Sequence, residues 1–279
     1  MGKMIELVEA KILSDQMREA IRGKRIERVT TLFTPHKFAF FHGDPQTYDG
    51  LLRGRTVGDI SPIGGQVRIE IEDLMLLFGD GVDLRYYEKD EKRPTKHQLL
   101  MEFEDGSALS GSVQMYGFLL CFDEKDYDNP YYLIAKQKPS PLNEEFDKEY
   151  FNHLLSEPGA DRLSMKALLA TKQRIPGLGN GLLQDILFYG GLHPKRKVIT
   201  LSEEDKDRLY HSIKNTMNQM IAQGGRDTEK DLYGNSGGYI TRLSKKTSGK
   251  PCTVCGSTIL KEAYMGGSIY YCEGCQPLS

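Results

Sequence analysis

The sequence predicts an α+β multi-domain protein in which an N-terminal helix leads into a β-sandwich, followed by a helical domain and a C-terminal four-cysteine hairpin. Three observations carry that prediction. Apolar residues recur at helical spacing from Ile5 to Ile21, short alternating apolar runs fill Ile26 to Phe122, and helical spacing returns between residues 146 and 223. Beyond a polar, glycine-rich stretch come Cys252-x2-Cys255 and Cys272-x2-Cys275, with sixteen residues between the pairs. A chain of 279 residues, 39% apolar and 27% charged, has enough material for one large core or two modest ones.

Composition excludes several classes. The longest apolar runs, such as Leu74 to Phe78, are a handful of residues, far short of the ~20 a membrane helix needs. The opening Met1-Gly2-Lys3-Met4-Ile5-Glu6 turns acidic at once, with no apolar core before a cleavage site, so a cytoplasmic protein with no membrane partner is expected. The net charge of −2 argues against a uniformly basic nucleic-acid binder. The charge is unevenly spread, however: residues 1–160 carry an acidic excess and residues 161–279 a basic one. That is the pattern of a half that meets a polyanion, although surplus surface lysines alone give the same asymmetry.

Taken in order, the helix over 5–21 ends at Gly23. Six to eight short strands follow, among them 37–41, 66–71, 74–78 and 98–103. They are separated by the turn signals Gly64-Gly65, Glu72-Asp73, Gly79-Asp80-Gly81 and Glu104-Asp105-Gly106. Pro130, Pro139, Pro141 and many charges mark 125–145 as a linker. Helices are expected at 146–156, 161–172, 180–190 and 202–223. The domains are therefore 1–124, the linker 125–145, a helical domain 146–240 and a cysteine module 241–279.

Cys121, in the apolar run Phe118 to Phe122, reads as a small buried hydrophobe. The four paired cysteines have the spacing of a zinc ribbon: Cys252, Cys255, Cys272 and Cys275 supply four thiolates to one structural zinc, leaving no open position for water. Thr258-Ile259-Leu260 and Ile269-Tyr270-Tyr271 are the strands of the intervening hairpin, turned at Met265 to Ser268. Two disulfides are the competing reading, and a reducing compartment disfavours them.

The run from Lys172 to Pro194 is the most informative. Pro176, Gly177 and Gly179 force a non-helical turn, and Asn180 stands at the N-cap of the next helix. A helix start offers unpaired N–H groups to a phosphate, and Lys172 and Arg174 add charge. A plain helix-connecting turn would have the same glycines.

Together these residues resemble the formamidopyrimidine-DNA glycosylase and endonuclease VIII family of base-excision repair enzymes, over nearly the whole chain. Pro176 to Pro194 is similar to that family's helix–two-turn–helix, the C-terminus to its zinc finger, and Met4-Ile5-Glu6-Leu7-Val8-Glu9-Ala10 to its start. The resemblance implies a monomeric clamp on double-stranded, damaged DNA that turns a nucleotide out of the stack. It also implies an N-terminal proline nucleophile that forms a Schiff base with the sugar, beside an acid–base glutamate matched here by Glu6; Glu9 matches a second glutamate.

The sequence departs from the family at several points. Ile5 holds the proline position, and neither Gly2 nor Met4 as a terminal amine restores it. Gln66 stands for a phosphate-binding lysine, Leu77 for a histidine and Gly267 for the zinc-hairpin arginine, leaving Asn180 as the retained phosphate ligand. Val113 to Gly117 matches the wedge loop, in which Gln114, Met115 and Tyr116 are expected to fill the hole left by the everted nucleotide; a strand end packing inward is the other reading. Lys245 and Lys246 extend the expected DNA contact with Lys172 and Arg174. Two functions remain open: a divergent glycosylase that activates water through Glu6 and lacks proline-type lyase chemistry, or a non-catalytic binder of damaged or structured DNA. His36, Lys37 or His97 would supply a polar pocket for the first.

Overall fold

The computed structural model describes residues 4–278, so Gly2, weighed above as a terminal amine, lies outside the described residues. In chain order the helices are α1 (Leu7–Ile21), α2 (Tyr48–Leu52), α3 (Pro130–Gln137), α4 (Lys148–Ser156), α5 (Met165–Ala170), α6 (Asn180–Tyr189) and α7 (Glu203–Ala222). The strands are β1 (Ile26–Thr31), β2 (Ala39–Phe40), β3 (Ile60–Ile63), β4 (Gln66–Ile71), β5 (Leu74–Tyr87), β6 (Leu99–Phe103), β7 (Ala108–Asp123), β8 (Leu260–Tyr264) and β9 (Gly267–Tyr271). No helix among the described residues is long and apolar enough to cross a membrane.

The chain forms two compact units. The first is Met1–Leu133 with Asp227–Gly237, and the second is Ile134–Arg226 with Gly238–Ser279. In the first unit the strands run in the order β1-β6-β7-β5-β4-β3, with β2 added parallel to β7. The long strands β5 and β7 join the two halves of this sheet. The first half of β5 pairs with β4 and the end of β7, and its second half pairs with the start of β7, which also pairs with β6. Burial alternates in β4, where Val67, Ile69 and Ile71 point inward, as one covered face requires. Helix α1 packs on β3 and β4 and buries Leu7, Ala10, Leu13, Met17 and Ile21, the spacing of a single helical face.

The segment 227–237, assigned above to the helical domain, belongs to the first unit. Leu232 is fully buried in its core; its amide donates to Gln16 Oε1 at 3.0 Å, and its carbonyl accepts from the Tyr86 amide at 3.1 Å. A single apolar residue in a polar loop gives no periodicity, so the sequence pattern did not show this packing.

The 125–145 stretch is not a bare linker, because α3 lies within it. Asn129 Oδ1 accepts from the Tyr131 and Tyr132 amides and starts the helix, with Pro130 in its first turn. The helix expected over 161–172 shortens to α5, because Ser164 caps it from within, its Oγ accepting from the Ala167 amide. Helix α7 opens with a complete capping box of Ser202 and Asp205.

Truncating Leu232 to Ala should destabilise the protein by ~2–5 kcal/mol through the cavity left in the first unit. Truncating the exposed neighbour Ile240 should cost less than about 0.5 kcal/mol. Denaturant unfolding of the two variants measures the difference.

Candidate active site and metal centre

In the first unit, the chemistry at the amino end is set by one backbone contact. Ile5 pairs antiparallel with Asp80, its amide donating to the Asp80 carbonyl at 2.7 Å. Its nitrogen is thus a hydrogen-bonded peptide nitrogen. Glu6 follows in an extended conformation as the N-cap of α1 and does not cap the helix with its side chain. Glu6 and Glu9 are both buried, each 6% exposed, so neither is a solvated face of the first helix. Glu9 lies in the first turn of α1, where the helix dipole favours its charge.

Asp80 itself has φ of 54°, in the left-handed region. Its carboxyl is pushed above the usual carboxylate range by burial alone, and burial together with Asp80 raises the neighbouring Tyr116 hydroxyl. This strain marks a break in the β5–β7 ladder: Asp80 opposes Gly117 and Val82 opposes Val113. Gln114, Met115 and Tyr116 therefore face only Gly81 and bulge out of the sheet. All three are exposed, Met115 by 53% and Tyr116 by 41%, so they are not an inward-packed strand end. Gln66 opens β4 with its Oε1 buried and unpartnered, and Leu77 is buried within β5. His97 is also buried, with its ring stacked on Phe33.

In the second unit, the 172–179 turn forms as the sequence implies. Lys172, Gln173 and Gly177 take positive φ, and α6 begins at Asn180. The N-cap is the extended Gly179, and Asn180 is already the first residue of the helix; its side-chain Nδ2 donates to the Ser268 carbonyl at 2.8 Å. Its Oδ1 is buried without a partner. Gln184, one turn on, donates to the same carbonyl and accepts from the Tyr270 amide, which ties α6 to β9. Lys172 is exposed. Arg174 turns inward, its guanidinium reaching the Ala167 and Thr171 carbonyls at the end of α5 and pairing with Glu157 at 3.5 Å. Lys245 and Lys246 are exposed.

Sequence reasoning missed Lys166. It is 4% exposed, its ammonium donates to the Tyr264 carbonyl at 2.6 Å, and burial lowers its pKa. A Cβ on Gly267 would stand 3.4 Å from that ammonium. Lys166 therefore occupies the space beside the position that the resemblance assigns to an arginine. A lysine near a helix start looks solvated in sequence, and nothing in the spacing signals its burial. Asp185 was missed as well. Buried on α6, it accepts from the Tyr239 hydroxyl and from the Arg242 and Leu243 amides, and burial raises its pKa against those bonds.

The four C-terminal cysteines converge, their Sγ atoms all within 4.8 Å of one another. Cys252 and Cys275 stand 3.8 Å apart and Cys255 and Cys272 3.3 Å apart, all as free thiols. Four sulfurs at about 2.3 Å from a tetrahedral zinc are separated by about 3.8 Å, so the donor set fits that ion. Gly274 is required by the same convergence, since a Cβ there would meet Cys255 Sγ at 2.8 Å. Hydrogen bonds from Ser257 lower the Cys255 thiol to about 6, toward the ligating thiolate. Strands β8 and β9 carry the hairpin between the pairs.

Comparison with known proteins gives a consistent picture. Residues 138–231 match the family described as formamidopyrimidine-DNA glycosylase H2TH domain. The formamidopyrimidine-DNA glycosylases of Cytobacillus firmus and Shouchella clausii are each 26% identical to this chain, over 98% of it and 100% and 99% of their own lengths. Among solved structures, the Lactococcus lactis Fpg in complex with abasic-site DNA superposes with a TM-score of 0.82 at 24% identity, covering 98% of this chain and 99% of that one. The MutM (Fpg) protein of Thermus thermophilus does so with a TM-score of 0.81 at 22% identity, covering the same shares.

Purified protein should contain about one zinc per chain by elemental analysis. Cys272→Ala should lose it and melt the hairpin, because structural zinc contributes folding energy directly. Wild-type protein without stoichiometric zinc would contradict the assignment.

Proposed function

The chain belongs to the formamidopyrimidine-DNA glycosylase and endonuclease VIII family, and from that premise we propose that it is a base-excision repair protein. In this reading it binds damaged double-stranded DNA, everts a nucleotide and releases the base with water in place of an N-terminal amine. The observation that carries the reading is the Ile5 amide, bonded at 2.7 Å to the Asp80 carbonyl where the resemblance assigns a proline nucleophile. An amide nitrogen has no available lone pair for a Schiff base. Glu6 is retained beside it and is buried, which suits a general base. In the proposed step Glu6 takes a proton from water, the hydroxyl adds to the sugar carbon, and the base departs with the electrons of the glycosidic bond and gains a proton. Without a Schiff base there is no elimination, so the strand stays intact.

Binding is proposed to run through Asn180, Lys172, Arg174 and the Lys245-Lys246 pair. Gln114, Met115 and Tyr116 fill the space the nucleotide vacates, a role their exposure supports. Arg174 acts partly through the turn, given its bonds to the end of α5. The zinc, held by Cys252, Cys255, Cys272 and Cys275, is structural; Cys252 and Cys272 pack with Phe188, Ile259 and Tyr270. A second reading, a non-catalytic binder of damaged DNA, is favoured by the lack of a charged side chain at Gln66, Leu77 and Gly267. Incubating the protein with duplexes carrying an abasic site, an oxidised purine, an oxidised pyrimidine or a bulky adduct, and scoring base release separately from strand cleavage, decides between the two.

Affinity for duplex should fall with salt at a slope of about −0.9 per phosphate neutralised. Asn180→Ala should weaken binding alike on all sequences, because a phosphate contact reads no base. A salt-independent affinity would sink this reading. Borohydride should trap little or no cross-link to abasic DNA, and base release should vanish in Glu6→Gln. Efficient trapping would mean that another amine has become the nucleophile.

A further inference from the structure

In the first unit, exposed aromatic rings gather along the loop that joins β1 to β2. Ala39 lies opposite Gly117 and Phe40 opposite Phe118, and the Gly117 amide donates to the Phe38 carbonyl at 3.0 Å. That register sets Phe38 alongside Tyr116. Phe38 is 46% exposed and Phe40 52%, whereas Leu32 and Ala39 of the same segment are half-buried. The Lys37 ammonium lies 5.4 Å from the centre of the Phe38 ring, and the His36 ring meets that ring edge-on. At the other end of the loop Phe33 is 62% exposed while its ring stacks on the His97 imidazole, 4.8 Å between centres and 6° from parallel. One face of Phe33 is covered and the other is bare. The Leu32 and Thr34 amides donate to the Gln98 and His97 carbonyls at 2.9 and 3.0 Å, so the backbone that presents Phe33 is pinned.

Large rings held out to solvent on a pinned backbone lose apolar burial that a folded chain normally takes. An unstacked nucleobase recovers it, because every base has a flat π-face, and a cation beside the rings meets the phosphate that comes with the base. We propose that Phe33, Phe38 and Phe40, with Lys37, form a stacking surface for unpaired DNA bases. The preferred substrate class is then DNA with unpaired nucleotides, a bubble, a fork or a single strand, over fully paired duplex. This rests on DNA being the ligand and adds which form of DNA is bound. Phe33, Phe38 and Phe40 are not among the residues proposed above for binding or for the Glu6 chemistry.

The sequence contains no tryptophan, so Phe38→Trp in the full chain makes a single fluorescent reporter at the surface. Titration with oligodeoxythymidylate should quench its emission to saturation. In parallel, the double variant Phe38→Ala with Phe40→Ala should lose about tenfold in affinity for a duplex with a short bubble, the size of one lost base stack. Its affinity for the fully paired duplex should change less than about twofold. The pair Phe38→Leu with Phe40→Leu, which keeps an apolar surface, should lose nearly as much. Unfolding midpoints, expected to stay at the wild-type value because both side chains are exposed, exclude a folding defect. Absence of quenching, or bubble affinity that survives the alanine pair, would overturn the proposal. Full affinity in the leucine pair would also overturn it and assign the surface to a protein contact. Quenching without salt-dependent duplex binding would leave the stacking surface standing while the repair reading failed, and duplex binding without quenching would remove this proposal alone.

Discussion

The antiparallel ladder of β5 on β7 is the constraint on which the first unit depends. From Leu74–Asp123 to Tyr87–Ala108 the two strands stay paired except at one irregularity between Asp80 and Val82. Every other strand of the sheet hangs from that ladder, β4 and β3 on one side, β6 and β1 on the other, and β2 on the end of β7. The functional candidates cluster where the ladder breaks. Asp80, in its left-handed conformation, receives the Ile5 amide, while the three residues opposite Gly81 are left without partners in β5 and swing out as Gln114-Met115-Tyr116. Just beyond them Gly117 takes on the parallel strand that carries Phe38 and Phe40. One bulge therefore positions the chain start, the proposed wedge and the aromatic rim together, as bulges beside functional sites do.

That arrangement also bears on the proposed replacement of an amine nucleophile at the chain start. An isoleucine in place of an amine nucleophile keeps the backbone extended and adds an apolar side chain to the core, where Ile5 is 7% exposed. Its peptide nitrogen donates to the Asp80 carbonyl. Glu6 remains buried at the N-cap of α1. A buried carboxylate at Glu6 next to a hydrogen-bonded peptide nitrogen at Ile5 is compatible with the water-based chemistry proposed above.

The legible parts of the sequence were those with a period or a fixed spacing. The helix starting near Ile5, the alternating strand 66–71, the cysteine pairs and the glycine turn before Asn180 all appear within a residue or two of where the pattern put them. The illegible parts depend on contacts between residues distant in sequence. Leu232 is one apolar residue in a polar loop, yet it is fully buried against β5 and α1 through Tyr86 and Gln16. Lys166 is a helix-start lysine whose burial follows from its bond to Tyr264, 98 positions away. Asn180 has the right chemistry for an N-cap but lies one residue inside the helix, and its Nδ2 bonds Ser268, a partner no local rule names.

Those last contacts give the second unit its own logic. Helix α6 directs its polar residues to later segments: Asn180 and Gln184 bond the β9 backbone, and Asp185 holds the amides of Arg242 and Leu243. Phe188 packs into the cluster formed around Cys252 and Cys272. The turn that presents the helix start is therefore braced by the cysteine hairpin rather than by its own caps. Both hydrogen bonds of the Asn180 and Gln184 amides to Ser268 exist only while β9 is in place, and β9 leads directly into Cys272 and Cys275. A metal closing the four thiolates would fix the strand that orients Asn180, so a structural ion with no open coordination position would still govern the geometry of a helix start well suited to a phosphate.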